Sequence, residues 1–168
     1  MKILTISGSS REGSSNTKLL DSLAGLFSDK TFEKGAIINN LPLFKPENDK
    51  HPWDENVLAW RQSLQESDAV IFCIPEYIHN LPALIKNALE WVASSGELVG
   101  KPVLAFTFTP HEPRGKKAMK SLLWSLKALD ARVVGQLALF QNEITFEDGE
   151  IMVDEEILEI LKEAIELL

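Results

Sequence analysis

Apolar residues follow two rhythms along this chain. Short runs such as Ile3, Leu4 and Ile6, or Ala69 to Ile74 (AVIFCI), have the length and β-branched content of buried strands. Between them, apolar residues recur at helical spacing: Leu19, Leu20, Leu23, Leu26 and Phe27, then Val57, Leu58 and Leu64 with Arg61 on the same spacing, then Met119, Leu122, Leu123, Leu126 and Leu129. The pattern predicts a strand over residues 3–6, a polar loop from Ser7 to Ser15 and a helix opening at Asn16 and Thr17. A weaker second strand is expected over Lys34–Asn39, centred on Ala36, Ile37 and Ile38.

Residues 40–53 form an irregular connection punctuated by Pro42, Pro46 and Pro52, after which Asp54 can cap a helix reaching Gln65. Asp68–Ile74 reads as a strand covered on both faces. Pro75 ends it, and EYIHNLP connects to a helix over Ala83–Ala93. Strands at Pro102–Thr109 and Arg132–Phe140 flank a helix over Glu112–Leu129. A short hairpin-like excursion with a turn at Glu147-Asp148-Gly149 precedes a last helix, capped by Asp154 and running to Leu168. Five strands alternating with helices describe one α/β domain over residues 1–168, a parallel sheet with helices on both faces. In the order 2-1-3-4-5, ligands bind in the crevice beyond the carboxyl ends of strands one and three. The Ser/Gly loop and the Pro75 loop both belong there.

Length and composition change this picture little. A chain of 168 residues with 45% hydrophobic and 25% charged residues is an ordinary globular domain with a substantial core. The formal charge of −8 argues against a nucleic-acid platform, although a loop's near neighbours can still bind one phosphate. Cys73 is the only cysteine, so no intrachain disulfide can form, and its place in AVIFCI marks it as a packed thiol. No apolar run is long enough to span a membrane, and the N-terminus enters a strand without a signal-peptide pattern. A cytoplasmic location is the expectation.

The candidate chemistry lies in the opening loop. A strand, a small-residue polar loop and a helix N-terminus direct free backbone N–H groups and the positive end of the helix dipole at one point. Ser9, Arg11, Ser14, Ser15, Asn16 and Thr17 are the candidate donors, with the Arg11 fork suited to two phosphate oxygens. There is no Gly-Lys-Ser/Thr step and no three-glycine dinucleotide fingerprint. What remains suits a terminal phosphomonoester.

A second constellation, PEYIHNLPALIKNALEW over residues 75–91, joins GSSREGSSNT over residues 8–17. Together they resemble the two signatures of the NADPH-dependent FMN reductase family, which includes quinone, azo and chromate reductases. Gly8, Ser9, Arg11 and Asn16 match the first with one extra loop residue. Pro75, Glu76, Tyr77, Leu81, Pro82, Lys86, Asn87 and Trp91 match the second, and Glu90 replaces its Asp. The resemblance implies a flavodoxin-like three-layer sandwich with a five-stranded parallel sheet and non-covalent FMN. NADPH or NADH would reduce the flavin, and a quinone, azo compound, metal oxyanion or free flavin would reoxidise it. The first loop would hold the phosphate, and backbone at Pro75, Glu76, Tyr77, Ile78 and His79 would edge the isoalloxazine. Thr109 and Arg114 would belong to a third flavin segment. Homodimers or homotetramers are common in the family. An electron carrier without reductase activity and a protein that has lost its flavin are the other classes open to this sequence.

Two departures stand out. Ile78 replaces the family's Asn, and Pro110 and Pro113 remove two N–H donors from the third segment. Glu76 is as suited to capping as to ligand contact, and Lys86, Asn87 and Trp91 suit structural roles inside a helix. His51, His79 and His111 lack metal-ligand spacing, so no metal site is expected. Trp53, Trp60 and Trp124 suit packing, and the Glu-rich last helix suits a solvated face. No side chain need act as nucleophile or general base.

Overall fold

The computed structural model describes residues 1–147 and 149–168, apart from the side chains of residues 36 and 37. The five main strands are β1 (Lys2–Ser7), β2 (Thr31–Lys34), β3 (Ala69–Ile74), β4 (Pro102–Thr109) and β5 (Arg132–Phe140). All pair in parallel in the order β2-β1-β3-β4-β5, the flavodoxin-like order implied by the resemblance. The helices are α1 (Ser15–Leu26), α2 (Glu55–Gln65), α3 (Ala83–Glu90), α4 (Lys116–Ala128) and α5 (Glu155–Glu166).

Strand alternation divides the core in two. Leu4, Ile6, Val70, Phe72, Ile74 and Val103 face α2, α3 and α4, where they meet Trp60, Leu64, Ile85, Leu89 and Leu122. Ile3, Ile71, Cys73, Leu104, Phe106 and Phe108 face the other way, onto Leu19 and Leu23 of α1 and Leu161 and Ile165 of α5. The central strand β3 is buried at all six positions, which is why its sequence is a continuous apolar run. Its Val, Ile and Phe side chains each contribute about 1.5–3 kcal/mol of burial.

The second strand lies earlier than its apolar triplet suggests. β2 is Thr31–Lys34, paired from Lys2↔Thr31 to Thr5↔Lys34, and residues 36–40 form a 3-10 helix. As an edge strand with little side-chain burial, β2 carries one partly buried apolar residue, Phe32. Ile38 reaches the core from the helical turn instead. At the switch, Gly35 N donates to Thr5 O at 2.9 Å, and a Cβ on Gly35 would lie 2.1 Å from Ile6 Cδ1.

Other boundaries shift for local reasons. α4 begins at Lys116 rather than Glu112, behind Gly115 at φ 96°. α3 ends at Glu90 rather than Ala93. Asp54 caps α2 by accepting from Asn56 N at 2.8 Å, whereas Asp154 sits at the N-cap of α5 without a side-chain capping bond. The expected excursion is the antiparallel pair β6 (Thr145–Glu147) and β7 (Glu150–Met152), tied to α1 by Ser22 Oγ donating to Gly149 O at 2.8 Å. Asp148 of its expected turn lies outside the described residues. Trp60 is fully buried, with Nε1 donating to Ala88 O, but Trp124 departs from the packing expectation at 65% exposure.

Arg61 lies on the buried face of α2. Its Nε and Nη2 donate to Trp91 O at 3.1 and 2.8 Å, its Nη2 meets Asp49 Oδ1 at 2.7 Å, and its guanidinium lies 4.4 Å from the Trp53 ring centroid. One cation thus ties α2, the end of α3 and the Pro-rich connection together. Burial alone would raise the Asp49 carboxyl, but hydrogen bonds from Ser94 and Arg61 hold it below the usual carboxylate range. Removing the guanidinium strands a carboxylate and a helix-end carbonyl. Arg61→Ala is therefore expected to lower unfolding free energy by about 3 kcal/mol in urea titration. A loss below about 1 kcal/mol would show that water replaces the network freely.

Candidate functional site

The opening loop is held by its own hydroxyls. Gly8 N donates to Cys73 O at 2.8 Å, carrying the β1–β3 pairing one residue past the Ser7↔Cys73 register. A Cβ on Gly8 would lie 2.8 Å from Ile74 Cγ2 and 3.1 Å from Ile74 Cα, so only glycine lets the loop cross β3 this closely. Ser7 Oγ accepts from Ser9 N at 3.4 Å and Thr17 Oγ1 at 3.0 Å, and Ser9 Oγ accepts from Arg11 N at 3.3 Å. Ser14 is the N-cap of α1: its Oγ accepts from Thr17 N at 3.2 Å. Ser15 and Asn16 open the helix, where first-turn N–H groups have no carbonyl partner within the helix.

The six candidates of this loop divide into two groups. Ser9, Arg11 and Thr17 line a cavity of 360 Å³, together with Lys34 at the end of β2 and Gly35, Ile38 and Asn39 beyond it. Ser14 is buried as a cap, Ser15 Oγ accepts from Gln141 Nε2 at 3.0 Å, and Asn16 Oδ1 accepts from the Cys73 thiol at 3.3 Å. The side chains of these three brace the loop, leaving backbone N–H groups to face outward. Cys73 is buried, and burial pushes its thiol pKa up, so it stays protonated and donates. Arg11 is exposed, with no side-chain hydrogen bond or ion pair among the described residues.

The second loop leaves β3 through buried Pro75. Glu76 Oε2 accepts from Lys117 N at 3.0 Å and Ala118 N at 3.1 Å, so this carboxylate caps α4 across the site. Burial would raise its pKa, but the N–H groups of Ala118 and Lys117 hold it below the usual range. Tyr77 and Asn80 then exchange N–H···O bonds of 3.1 and 3.0 Å around Ile78 (φ 50°) and His79 (φ 55°). Tyr77 is half exposed, Ile78 is fully out in solvent, and His79 Nδ1 lies 3.5 Å from Glu76 Oε1.

The third loop follows β4. Thr109 Oγ1 donates to Arg114 O at 3.1 Å and Arg114 N donates to His111 O at 3.1 Å, folding the segment on itself with the Arg114 side chain exposed. Thr107 Oγ1, beneath it, is buried and has no hydrogen-bond partner among the described residues. A Cβ on Gly115 would lie 2.8 Å from that oxygen.

All three loops therefore stand at the carboxyl edge of neighbouring strands. Two links between them escape a linear reading. Gln141 N donates to Thr109 O at 2.9 Å while its amide reaches Ser15, joining the third loop to the first. Glu76 joins the second loop to α4. Lys34, Asn39 and Gln141 carry no motif, and only parallel pairing of β2 and β5 brings them here. Asn87 of α3 pairs with Phe44 N at 2.7 Å and Pro42 O at 3.0 Å, and Trp91, just past its end, donates from Nε1 to Pro42 O at 2.7 Å. These motif residues hold the 40–53 connection in place.

A close glycine crossing, hydroxyls, first-turn N–H groups and a free guanidinium fit a phosphate monoester. A family model described as NADPH-dependent FMN reductase matches residues 1–144. NADH-dependent flavin reductase subunit 2 of Lactobacillus johnsonii is 34% identical over 97 residues, a match covering 58% of this chain and about half, 51%, of that relative. A quinone reductase of Escherichia coli K12 is 27% identical, with 90% of this chain and 85% of that protein covered. Among solved structures, a flavoenzyme NAD(P)H:(acceptor) oxidoreductase of Paracoccus denitrificans superposes with a TM-score of 0.78 at 25% identity, covering 98% of this chain and 93% of its own.

The Glu76 cap has a pH signature. Glu76→Ala is expected to lower stability by about 1–2 kcal/mol at pH 7. Because the folded pKa is depressed, the carboxylate's contribution is complete above the ordinary glutamate value of about 4.3 and fades as pH falls through the folded value. Urea titrations at pH 7 and below pH 4 should show the gap between wild type and variant closing in acid. A gap independent of pH would mean that Glu76 acts through packing alone.

Proposed function

As the chain belongs to the NADPH-dependent FMN reductase family, we propose that it acts as an FMN-dependent NAD(P)H oxidoreductase on small electron acceptors, quinones and azo compounds foremost. The observation that carries this reading is the convergence of three loops on one sheet edge, with Gly8 crossing β3 closely in the loop that leaves Arg11 exposed. FMN, when bound, would supply the redox chemistry between NADPH or NADH and the acceptor.

The chain's own groups bind and orient. Arg11, the Ser9 and Thr17 hydroxyls, and backbone N–H groups of Ser15 and Asn16 would hold the phosphate. Ser14 acts through its cap. Backbone of Pro75, Glu76, Tyr77, Ile78 and His79 would edge the ring, with Thr109 and Arg114 on the opposite rim. The ties from Glu76 to α4 and from Gln141 to Ser15 and Thr109 keep the loops in register, which is how the chain would contribute to hydride transfer without needing a nucleophile or base. Residues 1–168 would act as one domain, because both core layers share a single sheet.

The reading extends to assembly and location. A homodimer or homotetramer is supported by Trp124, exposed beside a 280 Å³ groove between α3 and α4 lined by Leu89, Ala93 and Leu129. A cytoplasmic location is supported by the lone buried Cys73, which demands no oxidising compartment. Among the described residues, no helix is long and apolar enough to cross a membrane.

Purified protein incubated with FMN should be yellow, and NADPH added without oxygen should bleach it. Protein that remains colourless after FMN incubation would end the proposal. Arg11→Ala should weaken FMN binding about tenfold or more in a fluorescence titration. Hydride transfer in the saturated variant should stay near wild type, because a phosphate contact is the same in ground and transition states. Unchanged affinity would remove Arg11 from the site.

A further inference from the structure

Ile78 combines two properties that rarely coincide. Its φ of 50° places a β-branched residue in the left-handed region, where Cβ crowds the backbone and where Asn or Gly sits with less strain. Its side chain is 98% exposed, so no packing within the chain offsets that strain. The turn cannot relax by sinking inward. Tyr77 and Asn80 close it with two backbone bonds, Glu76 anchors its entry to α4, and Asn80 Oδ1 accepts from Leu81 N at 2.8 Å where its exit becomes buried. Strain held this firmly, at the sheet edge where the three loops meet, is a mark of function.

The surroundings narrow that function. Ile78 offers no hydrogen bond or charge, and half-exposed Tyr77 adds an aromatic face beside it. The chain's net charge of −8 repels anions at long range. A hydrated oxyanion would lose water to Ile78 and gain nothing, whereas a neutral planar ring would cover its methyl groups and leave them dry. Resting on the oxidoreductase reading above, we propose that Ile78 is the specificity-determining residue of this site, an apolar lip that favours neutral planar aromatic acceptors over anionic ones.

The test uses FMN-loaded protein and two acceptors, 1,4-naphthoquinone and ferricyanide. Ile78→Ala keeps the strained backbone and removes most of the apolar surface. Its ratio of kcat/KM for naphthoquinone to that for ferricyanide should fall about tenfold, chiefly through the naphthoquinone KM. Calorimetry with naphthalene-2-carboxamide, a planar aromatic that accepts no electrons here, should show a similar loss of affinity. Ile78→Asn should lose the same selectivity while raising Tm by about 2–4 °C, because Asn tolerates this φ. An unchanged acceptor ratio overturns the proposal. So does an altered sedimentation coefficient with selectivity intact, which would assign Ile78 to a contact between copies of the chain. Anaerobic bleaching of the wild type by NADPH tests the oxidoreductase reading separately: if that fails, the fault lies there and not with Ile78.

Discussion

The pairing of β1 with β3 is the constraint on which the site depends. Both strands are buried on both faces, and their register ends at Ser7↔Cys73 with Gly8 N bonded to Cys73 O. That register sets the opening loop beside the Pro75 loop and turns the N-terminus of α1 toward the same crevice. A one-residue slip would exchange the two core layers, sending Ile71 and Cys73 toward α3 and Val70 and Phe72 toward α1. The apolar core thus positions the polar site, and Leu20 and Ile38 carry it to the cavity wall.

Around this frame, polar groups divide into those that bind and those that hold. Ser14, Asn16, Glu76, Gln141, Asn87 and Arg61 spend their hydrogen bonds on other parts of the chain. All but Ser14, which caps its own helix, join segments distant in sequence: Glu76 spans 42 residues to Ala118, and Gln141 spans 126 to Ser15. Ser9, Arg11 and Thr17 keep a side toward the cavity. This division suits cofactor chemistry, in which the protein supplies position and electrostatics. It also explains why a family motif contains residues whose work is structural. Asn87 and Trp91, for example, clasp Pro42 and Phe44.

The turn at residues 77–80 departs from this economy. Every other segment of the site is stabilised by what it touches, whereas Ile78 is strained and touches almost nothing within the chain. Conflict between local preference and global structure concentrates at functional positions. Here it lies at the rim, where acceptors would come and go, and not at the phosphate end, where Gly8 and the α1 cap agree with their backbone.

Much of this was legible in the residues alone. The AVIFCI run, the helical spacing of α4 and the Ser/Gly loop before α1 each follow from local physics, and they sufficed for strands alternating with helices and for a candidate phosphate loop, while the strand order came from the family resemblance. β2 was not legible. A partly covered edge strand needs few apolar residues, so TFEK was silent while the triplet at 36–38 drew attention to a segment that leaves the sheet. The start of α4 was placed too early: Pro113 and Gly115 both disfavour helix, and the left-handed Gly115 marks where the turn ends. The sequence by itself determined which stretches could be buried and where an anion could be held, because periodicity and small polar residues act locally. Tertiary structure alone decided that Glu76 caps α4, that Gln141 and Lys34 attend the opening loop, and that Ile78 stands exposed in a left-handed turn. Those outcomes depend on where parallel pairing delivers distant segments, and no local pattern encodes that.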